Sequence, residues 1–330
     1  MLDVRKLRLL REVQLRGTLA EVAKALNFSP SAVSQQLSAL EAELGVELLR
    51  KHGRRVQLTQ QAEILAGHTA EILERLEIAE QEVLASTSRA VGTVRIAVFQ
   101  SAALTLIPPL LRVLEEEHPG LRIEMVQHEP ESALFDTFAG DFDVVVAEQY
   151  PGHAAPHHPG LDQRLLTGDA LRLAVPVDSP VTTLADAAQL AWVMEPQGSA
   201  SRHWGEQQCR VAGFEPDVRY ETADLQAQMR FIETGHAVGI LNDLTWAHST
   251  PSVRFLSLAG APRREIFTSI RTASAASPTI AAVRDGLQRV ADDLSSTSLS
   301  TAAITLPAAT PATPAAFSAS GVSSSAAADA

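Results

Sequence analysis

Apolar positions recur at helical spacing three times within residues 1–60. Leu7, Leu10 and Val13 mark the inner face of a first helix. Thr18-Leu-Ala-Glu21 reads as a capping box, with the hydroxyl serving the Glu21 amide and the carboxylate reaching back. It opens a second helix, with Leu19, Val22, Ala23 and Leu26 inward, ending near Asn27. Ser29 then supplies an N-cap and Pro30 the first helical position. The third helix runs to about Leu44, where Gly45 stops it. Two helices joined by a turn of about four residues make a helix-turn-helix. Residues 49–58, LRKHGRRVQL, predict two short strands around Gly53, a basic wing.

Thr59 is the expected N-cap of a long helix to about Ser88. Leu65, Ile72 and Ala79 repeat every seven residues, as do Thr69, Leu76 and Val83. The pattern fits a dimerising coiled-coil seam. It also fits a single amphipathic helix packed on its own domain. From Gly92 onward, strands alternate with helices. Strands are predicted at 94–99, 121–127, 143–147, 171–176, 191–194, 218–221, 238–241 and 265–271. Helices are predicted at 104–118, 132–139, 201–212, 224–234 and 279–294. That alternation is α/β with mostly parallel strands. Of the 36 residues 295–330, 29 are Ala, Ser, Thr or Pro and one is charged. Such a tail cannot offset its ordering entropy and is expected to be disordered.

Composition sharpens this division. The 330 residues carry a net charge of −12, unevenly spread. Residues 1–60 hold ten Lys/Arg against six Asp/Glu, and the remaining 270 hold 17 against 33. A basic module joined to an acidic body points toward nucleic acid. The single cysteine, Cys209, excludes an internal disulfide framework. No run of about 18 apolar residues occurs, so no membrane span is expected. The charged N-terminus does not read as a secretory signal, and the expected location is cytoplasmic.

The stretch AEVAKALNFSPSAVSQQLSALEAELGVELLRKHGRRVQLT resembles the LysR-type transcriptional regulators. Its most specific parts are Ala23 to Leu26, Ser31-Ala-Val-Ser34-Gln35, Leu40-Glu41, Leu44-Gly45 and Arg54-Arg55-Val-Gln-Leu-Thr59. The likeness extends to about residue 294. It implies a winged helix-turn-helix over 1–59, a linker helix over 60–91 and an effector-binding domain over 92–294. That domain would be built like a periplasmic binding protein. One subdomain would hold about 92–167 and 262–294, the other about 168–261. The implied partners are double-stranded DNA, a small-molecule effector, a second or third and fourth copy of the chain, and RNA polymerase. No cofactor is implied.

On the third helix Ser31, Ser34, Gln35 and Ser38 form a polar stripe opposite Val33, Leu37, Leu40 and Leu44. Such a stripe fits a major groove, where Gln bonds an adenine edge bidentately. With Ser29 and Pro30 at the helix start, these are the expected DNA contacts. Lys51, Arg54 and Arg55 would neutralise phosphates, assisted by His52. Family members often carry basic residues where this chain has Gln35 and Ser38, so the wing carries more of the phosphate binding. The seam residues Leu65, Ile72, Leu76, Ala79 and Val83 would pair two subunits.

In the α/β body, ligands are expected beyond the carboxyl ends of strands and at helix N-termini. Gln100 and Ser101 follow the first strand and are candidates for holding a carboxylate, with a plain capping role as the alternative. The second strand is followed by Glu129-Pro130, where a hydroxyl is common in the family, which disfavours an ordinary carboxylate ligand. Across the cleft the resemblance places Gln197, Gly198 and Ser199, with Arg202 as an anion anchor or an ion-pair partner. His153, His157 and His158 read as a solvated loop rather than a metal site. Cys209 reads as core rather than a redox sensor. The alternatives are a regulator that acts without a ligand and a cytoplasmic solute-binding protein, the latter disfavoured by the lack of a signal peptide and by the helix-turn-helix. An enzyme lacks support without a phosphate loop, metal cluster or nucleophile elbow.

Overall fold

The computed structural model describes residues 2–52, 55–86, 89–247 and 249–304, excluding the side chains of 51, 52, 55 and 295–304. In the N-terminal module, α1 (Val4–Arg16) is capped by Asp3 and closed by Gly17 at φ 74°. α2 (Leu19–Ala25) begins where Thr18 Oγ accepts from the Glu21 amide at 3.2 Å. α3 (Pro30–Leu44) begins under Ser29, which accepts from the Ala32 amide, and ends at Gly45 with φ 68°. Both closing glycines adopt the left-handed conformation that a Cβ disfavours. β1 (Leu49–His52) and β2 (Arg55–Leu58) pair antiparallel as the wing. Glu41 fastens the wing to α3 by accepting from the Leu48 and Leu49 amides at 2.8 and 3.0 Å.

The linker helix α4 spans Gln60–Ala85, capped by Thr59. Its first turns belong to the module. Ala62 and Ala66 are fully buried with Leu10, Val22, Leu37, Leu40 and Leu48, and Leu65 packs against them. Thr69 is also buried, its hydroxyl donating to the Leu65 carbonyl. The front of the heptad pattern is therefore taken up by the chain's own domain. Ile72, Leu76, Ala79 and Val83 remain exposed.

The body opens with β3 (Gly92–Val98), α5 (Gln100–Thr105), α6 (Ile107–Glu117), β4 (Leu121–Gln127), α7 (Pro130–Ala139) and β5 (Val144–Gln149). The helix expected over 104–118 is broken at Leu106, with Pro108 and Pro109 just inside α6. Proline has no amide to donate, so it starts a helix rather than continuing one. The chain then crosses on β6 (Leu161–Pro176) and builds β7 (Ala191–Met194), α8 (Ala200–Val211), β8 (Asp217–Glu221), α9 (Leu225–Glu233), β9 (Gly239–Asn242) and β10 (Val253–Ser257). It returns on β11 (Arg263–Arg271) and ends in α10 (Pro278–Ile304).

The main sheet runs β10-β6-β11-β5-β3-β4, with β9 also on β6. β3 is parallel to β4 and β5, but β6 and β11 are antiparallel to each other and to their other partners. The sheet is thus mixed rather than mostly parallel, because the segments running out to the second subdomain and back lie side by side. Val144 to Ala147 are fully buried in the sheet centre. Each such valine contributes about 1.5–3 kcal/mol. α10 packs on α6 at Gly286, where a Cβ would meet Leu110 at 2.8 Å. The helix also continues ten residues past Leu294 into the segment expected to be disordered. Extending an anchored helix costs far less than nucleating one, and no proline intervenes before Pro307. Residues 305–330 lie outside the described residues.

Candidate DNA-binding surface and effector cleft

Ser29, Pro30, Ser31, Ser34, Gln35 and Ser38 all lie exposed along one face of α3 and its cap. Val33, Leu37 and Leu40 are buried on the opposite face. Ser29 and Ser31 hydroxyls bond each other at 2.9 Å. Phe28, at the turn, is 57% exposed beside this face, a feature the polar stripe did not signal. Arg54 lies outside the described residues, as do the side chains of Lys51 and Arg55. The strand backbone sets Lys51 opposite Val56.

Behind this surface the module is tied to the body of the same chain. Arg16 bonds Asp141 at 2.7 Å and Glu12 at 2.8 Å. Arg11 lies over the Phe138 ring. Glu77 of α4 accepts from Arg271 at 2.8 Å and from Ser274.

In the body, a cavity of about 390 Å³ separates the two subdomains. One wall comes from the start of α7 and the end of β5, with Glu129, Glu131, Ser132, Glu148 and His153. The other comes from the β7–α8 connection, with Glu195, Gln197, Gly198, Ser199 and Ser201. Gln197 to Ser199 therefore stand on the cavity wall. Ser199 caps α8 by accepting from the Arg202 amide.

Gln100 and Ser101 are placed elsewhere. Ser101 is fully buried, and its hydroxyl accepts from Arg264 Nη2 at 2.7 Å. Gln100 joins the subdomains, donating to Asp224 at 3.0 Å and accepting from the Leu225 amide at 3.0 Å. That contact holds the Asp224 carboxyl below its ordinary range. Arg202 is buried in ion pairs with Glu206 and Glu221 and donates to the Glu195 carbonyl, so no free guanidinium faces the cavity from α8.

Arg264, 2% exposed, lies behind the wall of α7 and β5 and pairs with the cavity residue Glu148. It bonds Asp169 through Nε at 2.9 Å and Nη2 at 2.6 Å, pairs with Glu148, and lies over Phe99. Tyr150 donates to Glu148 at 3.2 Å. Burial works against the Arg264 charge, but Glu148 and Asp169 outweigh it and hold the guanidinium protonated. Burial also lifts Glu195 to about 7, opposed by the Ser201 hydroxyl and reinforced by Glu148 and Glu129.

The histidines do not gather. His153 lines the cavity, 3.7 Å from Glu131, whereas His158 stacks on Phe138. Cys209 is buried in the second subdomain, and burial pushes its thiol up to about 12. A thiol so shifted presents almost no reactive thiolate.

Residues 4–63 match the family described as "Bacterial regulatory helix-turn-helix protein, lysR family". Residues 87–292, more than half the chain, match the "LysR substrate binding domain". The chain belongs to the LysR family. The "Transcriptional dual regulator GltC" of Bacillus subtilis (strain 168) is 26% identical over 255 residues, covering 76% of this chain and 84% of its own. A full-length OxyR variant from Pseudomonas aeruginosa matches 87% of this chain and 95% of its own, with a TM-score of 0.63 and 15% identity. An OxyR mutant from Corynebacterium glutamicum gives 0.55 at 20% identity, covering 91% and 95%. At such identities the likeness is one of fold.

This LysR-family chain therefore joins a helix-turn-helix DNA-binding domain to a two-subdomain substrate-binding domain, and its relatives are transcriptional regulators. Among the described residues, no helix is long and apolar enough to cross a membrane. The residues that sequence reasoning passed over are Glu148, Asp169, Glu195 and Arg264. Two carry a visible signal. Glu148 ends the apolar run Val-Val-Val-Ala, and Glu195 follows Ala-Trp-Val-Met. A charge set against a buried strand needs a partner.

Proposed function

We propose that the chain is a ligand-responsive regulator whose α3 reads promoter DNA in the major groove. Ser31, Ser34, Gln35 and Ser38 meet base edges, while Lys51, Arg54 and Arg55 contact phosphates. The observation that carries this reading is the exposed, uncharged stripe of α3 backed by a fully buried one. Two modules are brought together through the exposed apolar row of α4, with Ile72, Leu76, Ala79 and Val83, in a homodimer or homotetramer. Pairing modules raises their effective concentration on two half-sites.

A small molecule bound between the subdomains, against Gln197 to Ser199, shifts the assembly between DNA-bound conformations. Its leverage is its differential affinity for the two, about 1–3 kcal/mol. RNA polymerase is the downstream partner. The chain acts by binding rather than catalysis, in the cytoplasm where its DNA lies. A gel shift compares DNA from upstream of the chain's own coding region with scrambled DNA of equal length. Preferential retardation of the upstream fragment is expected. Equal binding to both, or none, overturns the reading.

A further inference from the structure

The two walls of the cavity carry carboxylates, and the cavity lining among the described residues contains no Lys or Arg. We propose that the effector is a small organic cation bearing a primary ammonium or guanidinium group, held between Glu129 and Glu148 on one wall and Glu195 on the other. The proposal rests on the cleft being the effector site and adds the chemical class of its occupant.

Each carboxylate has an ordinary explanation to set aside; Glu129 stands at the N-cap of α7 but its side chain makes no capping hydrogen bond. Glu131 lies in the first turn of α7, where the helix dipole favours an acid, and it is left out of the proposal. Glu195 lies four residues before α8 is capped, and Ser199 is that cap. Its carboxylate takes one hydrogen bond among the described residues, from Ser201, through Oε2. Glu148 shares Arg264 with Asp169, so two carboxylates face one guanidinium. Burial pushes Glu148 upward even with that partner beside it. Glu148, the member of this cluster that lines the cavity, thus gains from a second positive charge and offers none to an anion.

The guanidinium paired with Glu148 cannot serve an anionic ligand either. Arg264 is enclosed by Asp169, Glu148, Ser101 and the Phe99 ring, and swinging it free would strand two buried carboxylates. A bare metal ion suits the cavity poorly. Among the described residues, no three His, Cys, Asp or Glu side chains converge as a metal requires. Carboxylates spread over both walls suit instead an extended molecule whose cationic end reaches across the cleft. The neutral donors at Gln197, Gly198 and Ser199 can meet a hydroxyl or carbonyl elsewhere on it.

The test is calorimetric titration of the full-length protein at pH 8 with agmatine, 1,4-diaminobutane, succinate and Mg²⁺, each separately. Binding is expected for agmatine or the diamine, and none for succinate or Mg²⁺. Glu195→Gln and Glu129→Gln should each weaken cation binding about tenfold, as loss of a charged hydrogen-bond partner does. Glu129 is exposed, so its variant carries little folding risk. Failure of both cations to bind overturns the proposal, as does an affinity unchanged from the parent in both variants. So does succinate or Mg²⁺ binding in their place. A thermal-shift panel of neutral and anionic metabolites, repeated on Ser132→Trp, separates this from the parent reading. A hit lost in that variant keeps the cleft as the effector site while the cationic class falls. No cleft-dependent hit of any charge removes both.

Discussion

The two binding surfaces of this chain treat charge in opposite ways. On α3 the face proposed to meet DNA is uncharged and exposed, and the hydroxyls and amide stand on a single helix. Beside the cleft, Arg264, Asp169 and Glu148 form a largely buried charged cluster drawn from strands far apart in the chain. A surface that reads sequence gains from short donors and acceptors, because phosphate attraction can be left to the wing. A cleft that closes on a ligand gains from charges held in low dielectric, where their attraction is less screened. The difference teaches where each surface is fragile. The first is fragile in specificity and the second in folding.

Breaking the cleft should give the largest effect. Arg264→Met leaves Asp169 and Glu148 buried without their partner and should cost about 3–5 kcal/mol of stability. Urea denaturation followed by tryptophan fluorescence measures it, and an unmoved midpoint would show that water replaces the guanidinium. On the DNA side, replacing Arg54 and Arg55 together by Ala should weaken binding to every DNA alike. It should also reduce the salt slope by about one to two units. A salt titration that leaves the slope unchanged takes the wing off the phosphates.

Gln35→Ala should cost about 1–3 kcal/mol on the preferred site and little on random DNA. If competition binding shows both falling together, Gln35 is a backbone contact and the contrast with the wing disappears. The smallest effect concerns Glu195, whose carboxyl sits near 7 against an ordinary value of 4.5. Between those values the folded chain keeps a proton that the unfolded chain has released, so stability falls as pH rises through that window. Glu195→Gln is neutral throughout. Its melting temperature should exceed the parent's by about 2–4 °C at pH 8 and match it at pH 4.5. A gap of the same size at both pH values would assign the effect to packing.

Legibility followed the same divide. The caps Thr18, Ser29 and Thr59 each satisfy an amide within three residues, so local text suffices to place them. The α3 stripe needs only helical spacing. Arg264 and Ser101 are 163 positions apart, and no local rule brings them together. Once β11 returns beside β6, Arg264 is carried to Asp169, and the Ser101 hydroxyl meets it there. The heptad rows of α4 were ambiguous for a related reason. Heptad spacing cannot tell a neighbouring subunit from the chain's own core, and Leu65 and Thr69 went to the core. The break at Leu106 was written in Pro108 and Pro109, yet the apolar run around them masked it.

The Glu77–Arg271 contact has a geometric consequence. From Thr59 to Glu77 the linker helix rises about 27 Å at 1.5 Å per residue. The body grips this rod near one end and the DNA-reading module rides on the other. A tilt of about 10° about Glu77 sweeps the module through about 5 Å, more than the 3.4 Å between successive base steps along a strand. Because Arg16 also holds the module to the body at Asp141, that sweep is barred while both ion pairs stand, and the body sets where the module can sit.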